Sequence, residues 1–186
     1  MKKHTEFIPI VDSNNIPMKM VKDRKEVHEE GLWHRVSHLW IYNDKKEVLL
    51  QKRSKKKKLF AGLWTASSGG HLDDGETYTQ TVIREAREEL GIKIDAKKLI
   101  ELGIFRLPSV DKTNWLIDNE FTKAFALFLK EAKFKLDKEE VSEVKWLDID
   151  RIRIMLLDKE ESHAFADELK KNYVFKVLEK IEALSK

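Results

Sequence analysis

Residues 70–92 read GHLDDGETYTQTVIREAREELGI: a loop, then a helix, then a stop. Glycines at 69, 70 and 75 punctuate the loop. Residues 77–90 contain neither Gly nor Pro and are rich in helix formers. Gly91 follows where a helix end needs a residue able to take positive φ. Along this helix Glu85, Glu88 and Glu89 fall at i, i+3 and i+4, which puts three carboxylates on one face. Like charges so crowded repel one another. A divalent cation cancels that repulsion, and Mg²⁺ or Mn²⁺ favours carboxylate oxygens. The same spacing also suits a solvated acidic face, since 37% of the chain is charged.

The surroundings of the three glutamates separate these readings. Gly70, Glu76, Arg84-Glu85, Glu88-Glu89 and Gly91, with apolar Ala86 and Ile92, form a continuous pattern. It resembles the signature of the Nudix hydrolases. Agreement at seven such positions is expected by chance on the order of once in 10⁸ trials at average residue usage. The resemblance specifies a family, not a substrate.

Length and composition fit this reading. A chain of 186 residues suggests one domain, expected here over residues 1–186, and buries a substantial core. Lys+Arg 36 against Asp+Glu 33 gives a net charge of +3, too balanced for a dedicated nucleic-acid binder. With no Cys there is no disulfide framework and no thiol nucleophile, which suits a reducing cytoplasm. The first residues, MKKHTEFIPIV, lack the apolar stretch of a signal peptide. No window approaches the run of about 20 apolar residues that spans a membrane.

In chain order, residues 6–11 and 17–22 read as a hairpin around the turn at 12–16, so an N-terminal β-hairpin is expected over about 5–22. Residues 23–31 are polar and ambiguous. Strands are expected at 33–42 and 47–51, with a turn at Asn43-Asp44 and a basic loop at 52–58. Residues 62–68 read as extended, feeding the glycine loop. Strands follow at 99–107, 119–130 and 144–147. Two helices close the chain, at 150–157 and 162–184, the second with an apolar face through Phe165, Leu169, Tyr173, Val177 and Ile181. This order is that of a mixed α/β (α+β) sandwich. The resemblance implies the Nudix fold, a mixed sheet between helices.

A diphosphate linkage repels nucleophilic water, and metal ions neutralise that charge and polarise the phosphoryl group. Glu85, Glu88 and Glu89 are the expected ligands of Mg²⁺ (or Mn²⁺), as the resemblance also implies. Gly69 or Gly70 can offer a backbone carbonyl, because without a side chain a metal approaches closely. In this family the Arg84 equivalent orients the motif carboxylates, and Glu76 is its expected partner. The general base varies in position within the family. Glu120 is one candidate here, with Asp118, Glu88 and Glu89 as others. An ordinary strand-edge carboxylate is the plain alternative for Glu120.

Beyond the motif, HRVSHLWIYN, VLLQKRS and GLWTASSGGH resemble the branch of the family that includes isopentenyl-diphosphate isomerase. His34, His71, Asp118 and Glu120 fall where the isomerases have metal ligands or catalytic acids. Arg53 and Lys55 to Lys58 fall near their diphosphate-binding basic residues. The catalytic Cys of the isomerases precedes the Gly-His step, where this chain has Gly69. Arg53, Lys57 and His71 are the expected substrate-binding residues, with a solvated basic loop as the alternative for the lysines. His34 suits a half-buried, hydrogen-bonded role equally well. His28 and His38 are read as structural. The tryptophans are core by default, although Trp115 sits in a loop and suits stacking on a flat group.

The resulting expectation is metal-dependent hydrolysis of a diphosphate linkage in a nucleoside diphosphate derivative. The partner expected is a small-molecule nucleotide, without membrane or dedicated nucleic-acid binding. An isoprenoid-diphosphate isomerase and a non-catalytic nucleotide- or RNA-binding module are the alternatives. The sequence sets no oligomeric state.

Overall fold

A computed structural model describes residues 6–184. Its axis is strand β3 (Trp33–Tyr42), buried from Val36 onwards. A strand covered on both faces reads as a near-continuous buried run, and this one does. Strand β8 (Leu116–Phe128) runs parallel to β3, with His34 opposite Glu120 and Trp40 opposite Ala126. The short β6 (Ser68–His71) lies antiparallel to β3 with Val36 opposite His71. Strand β4 (Glu47–Arg53) pairs with the end of β3 and carries β5 (Trp64–Thr65) and β9 (Val141–Asp148). Strand β7 (Ile100–Asp111) forms a hairpin with β8. The hairpin of β1 (Phe7–Val11) and β2 (Pro17–Asp23) attaches through Ile10 opposite His34.

Alternation along β3 divides the core in two. Leu39 and Ile41 pack with Val82, Ala86 and Leu90 of helix α2 (Tyr78–Leu90). Trp40 and Tyr42 pack with Ile149 and Ile152 of α3 (Ile149–Leu157) and Val177, Leu178 and Ile181 of α4 (Lys171–Leu184). The sheet is thus sandwiched between helices, as the sequence predicts. Each fully buried side chain of this kind contributes about 1.5–3 kcal/mol.

Several boundaries differ from expectation, each for a physical reason. The ambiguous residues 23–31 form helix α1 (Arg24–Glu30). Asp23 caps its start by accepting from the Lys25 N–H, and Gly31 ends it at φ 66°. A Cβ on Gly31 would stand 2.8 Å from Ile117, so glycine is required there for space as well. The C-terminal helix begins at Lys171, not at 162. Phe165 instead bridges to Trp64, and the Ala166 N–H donates to the Trp64 carbonyl, which draws the chain out of helical geometry. Phe165 and Leu169 are buried all the same. Strands β7, β8 and β9 start or end beyond their expected limits because pairing extends them. Strand β4 likewise continues into the expected basic loop as far as Arg53. The expected hairpin begins at residue 5, which lies outside the described residues.

Candidate active site

Helix α2 starts from a reciprocal cap: the Thr77 hydroxyl accepts from the Gln80 N–H while the Gln80 side chain accepts from the Thr77 N–H. Gly91 ends it at φ 70°. With Val82, Ala86 and Leu90 turned into the core, Glu85 and Glu89 are carried to the edge of the sheet beneath the glycine pair of β6. The Gly69 N–H and the Ser68 hydroxyl donate to Glu89 at 3.2 and 2.7 Å, and the Gln51 amide reaches it at 3.3 Å. A Cβ on Gly70 would overlap the Glu85 carboxylate. Only glycine lets the strand lie this close to the acid pair.

Arg84 ties the motif together. It donates to both oxygens of Glu76 at 2.9 Å, to Glu85 at 2.6 Å, to Glu88 at 3.3 Å and to the His71 carbonyl at 3.1 Å. This contact holds the Glu76 carboxyl down at about 2. Burial, with Glu89 alongside, pushes Glu85 up to about 8 despite Arg84. Burial raises Glu89 as well, against its hydrogen bonds. Glu88 is the exposed member of the three. Buried, adjacent carboxylates that resist ionisation suit an oxygen-liganded divalent cation, and this donor set fits Mg²⁺ or Mn²⁺.

The opposite wall is built from four elements. His28 comes from α1, His34 from β3, His71 from the end of β6 and Asp118 from β8, and one donor atom of each lies within 4.8 Å of all the others. The Nδ1 of His28 lies 2.7 Å from the Arg24 carbonyl and that of His34 2.9 Å from the Leu32 carbonyl. A carbonyl only accepts, so both Nδ1 atoms carry the proton, and in the neutral rings Nε2 holds a lone pair. Both Nε2 atoms stand 3.3 Å from Asp118 Oδ1, without a hydrogen-bond partner. The Nδ1 of His71 meets Glu6 at 2.6 Å, and burial holds that imidazole neutral, its pKa down at about 3. Nitrogen lone pairs turned on a buried carboxylate are costly unless a cation accepts from both. The set also has the outer oxygen partners typical of metal-binding histidines. Its mixed nitrogen and oxygen donors suit a transition metal or zinc.

Nine of the residues singled out in the sequence line one cleft of about 360 Å³: Gly69, His71, Arg84, Glu85, Glu88, Glu89 and Glu120, with Arg53 and Lys57. The Arg53 Nε donates to the Leu59 carbonyl at 3.0 Å, and Lys57 is ion-paired with Glu140. Lys56 pairs with Glu139 at the surface, so the run 55–58 does not act as a unit. Trp115 is 80% exposed at the tip of the β7–β8 hairpin and does not line the cleft. His38 is hydrogen-bonded through Nδ1 to the Tyr173 hydroxyl at 3.0 Å.

His28, Glu6 and Glu168 escape the sequence reading. The pattern Asp23-RKEVHEE-Gly31 carries both helix signals and puts Val27 and His28 side by side, which would have turned His28 inward. Glu168 lies in the span expected as helix, where nothing local sets it apart.

Fold and cleft together define the class. Residues 32–169 match the NUDIX domain, and the chain belongs to that family. It is 33% identical over 147 residues to "Nudix hydrolase 3" of Arabidopsis thaliana, covering 76% of this chain but only 19% of that protein. It is 30% identical over 145 residues to an isopentenyl-diphosphate Delta-isomerase of Escherichia coli, covering 78% of each chain. Among solved structures, DR0079 of Deinococcus radiodurans matches with a TM-score of 0.73 at 22% identity, over 92% of this chain and 98% of the other. Among the described residues, no helix is long and apolar enough to cross a membrane.

Proposed function

We propose that the protein hydrolyses a diphosphate linkage in a nucleoside diphosphate derivative with the help of Mg²⁺ or Mn²⁺. The observation that carries this reading is the pair Glu85 and Glu89, buried beneath Gly69-Gly70 and braced by Arg84, in the same cleft as Arg53 and Lys57. Glu85, Glu88 and Glu89 hold the cation. When bound, it supplies charge neutralisation at the phosphate and a lowered pKa for coordinated water.

The chain's own residues do the rest. Arg84 fixes the carboxylates, so that no reorganisation is needed on binding. Arg53 and Lys57 meet the phosphate oxygens from the basic side. Asp118 and Glu120 are fully buried in the opposite wall, whereas Glu88 is exposed at the mouth, 3.3 Å from Arg84. Glu88 is therefore our choice for the group that accepts the proton of the attacking water.

A second reading, isomerisation of an isoprenoid diphosphate, is favoured by similarity to the isomerase and by the three-histidine wall. Against it, Gly69 stands where the isomerase thiol is expected, and the chain has no Cys at all.

A Mg²⁺-dependent screen decides between them. Nucleoside di- and triphosphates, nucleotide sugars, dinucleoside polyphosphates, coenzyme A and isopentenyl diphosphate are offered to wild type and Glu89→Gln. The expected result is hydrolysis of one nucleotide class, reduced by more than about 100-fold in the variant, beyond the effect of an outer partner of a metal ligand. Isomerisation without hydrolysis, or full activity in Glu89→Gln, would sink the proposal.

A further inference from the structure

Asp118 faces two ways. Its Oδ1 meets the histidine Nε2 atoms, yet neither of its oxygens has a hydrogen-bond partner, and the side chain is wholly buried. On its other flank stand Glu120 and Glu168. One oxygen from each of the three carboxylates lies within 4.8 Å of the other two. The three groups are brought together from distant parts of the chain. Asp118 and Glu120 are two apart on β8, hence on the same face of the strand, and Glu168 is carried over by the segment that bridges Phe165 to Trp64.

Three carboxylates buried together require a cation or bound protons, and burial raises both Glu120 and Glu168. Among the described residues, no Lys or Arg nitrogen comes within ion-pair distance of Glu120, Glu168 or Asp118. Arg53 acts on Glu168 through space, but its Nε is committed to the Leu59 carbonyl. Hydroxyls hold the carboxylates in place instead: Thr122 donates to Glu120 at 2.8 Å and Thr65 to Glu168 at 2.5 Å. Neutral donors orient a carboxylate but leave its charge unmet. The spacing fits an ion, because ligands on opposite sides of a cation bound at about 2.0–2.6 Å stand about 4–5 Å apart.

We propose that Asp118, Glu120 and Glu168 form a further divalent-cation site, distinct from the Glu85–Glu89 group, with Asp118 shared between it and the three histidines. Its donors are all oxygen, so it takes a hard cation such as Mg²⁺, Mn²⁺ or Ca²⁺, whereas the histidine side takes a softer one. Three of the cleft's lining residues form the site, so an ion reaches it by the same mouth as the substrate. Glu168 is the residue on which it depends, since it belongs to neither the helix motif nor the histidine wall.

The test counts Mn²⁺ on the full chain, stripped with chelator and titrated without substrate, by the loss of the free-ion paramagnetic resonance signal. Glu168→Gln keeps the shape and removes the charge. It is expected to bind one Mn²⁺ fewer than wild type, or to bind that ion at least about tenfold more weakly, while His34→Ala loses a different ion. Saturated wild type is expected to show the spin-coupled spectrum of two Mn²⁺ ions joined through a carboxylate. An unchanged count and affinity in Glu168→Gln overturns the site, and would mean that Glu168 carries a proton. Saturated wild type without the coupled spectrum also overturns it, and this measurement stands even if the variants fail to fold. Neither readout uses substrate, so failure of the hydrolase reading and failure of this one are told apart.

Discussion

Glu85, Glu88 and Glu89 stand within two turns of one helix, whereas His28, His34, His71 and Asp118 arrive from four separate elements. The helical wall is set by local rules: a cap at Thr77, a stop at Gly91 and an apolar stripe turned inward. It needs the sheet only for the close approach of Gly69 and Gly70. The histidine wall is a product of register. His34 lies opposite Glu120, and Val36 lies opposite His71, so a slip of one residue in either pairing would turn one of these side chains to the wrong face. The two walls also differ in charge. The helical wall has its own cation, Arg84, while the other has lone pairs and carboxylates with no ion-paired Lys or Arg among the described residues.

If the walls are independent in this way, Arg84→Met should damage one and spare the other. It frees Glu76, Glu85, Glu88 and the His71 carbonyl at once. The expected loss in kcat/KM is about 10–100-fold, typical of a residue that orients metal ligands. Metal bound by the histidine wall should be unchanged by elemental analysis. Parallel loss of both would show the walls to be one unit coupled through His71.

This contrast explains what the sequence discloses. A helix with fixed spacing writes its function into a short string, so the acid cluster, Arg84 and the glycines are legible without coordinates. The strand run at 33–42 is equally plain, because aromatic and β-branched residues recur through it at Trp33, Val36, Trp40, Ile41 and Tyr42. His28 is not legible in the same way: its value depends on α1 packing against β8, a contact between residues some ninety positions apart. Glu168 is harder still. Its neighbourhood reads as amphipathic helix, and only the Phe165 bridge to Trp64, a tertiary contact, overrides that propensity. For the same reason the final helix begins later than its periodicity predicts.

The charge contrast gives a second, smaller effect, in stability against pH. Glu85 is raised from 4.5 to about 8, so between those values the folded protein retains a proton that the unfolded chain has released. That contribution is full below the lower value and is lost as pH rises through the upper one. His71 works the other way. Lowered from 6.5 to about 3, it contributes fully above the upper value and loses its contribution as pH falls through the lower. Between about 6.5 and 8 Glu85 therefore acts unopposed by His71. Metal-free protein is expected to lose up to about 2 kcal/mol across this window, at about 1.36 kcal/mol per pH unit for one proton. Thermal melts should show Tm falling by several degrees, less so in Glu85→Gln. Added Mn²⁺ should raise Tm more at pH 8 than at 6.5. A Tm that climbs with pH in metal-free buffer would mean that Glu85 is ionised throughout.

The smallest effect is expected at the basic side of the cleft, where the two walls share a substrate. Lys57 lies in the cleft, but its ammonium is already paired with Glu140, so binding a phosphate exchanges one partner for another. Such partly screened pairs are worth roughly 0–1 kcal/mol. Lys57→Ala should accordingly raise KM by no more than about fivefold, leave kcat unchanged and weaken the salt dependence of kcat/KM. Arg53 is less replaceable, because its charge favours the ionised forms of both Glu89 and Glu168. A fall in kcat for Lys57→Ala, with KM unmoved, would transfer Lys57 from phosphate binding to the chemical step.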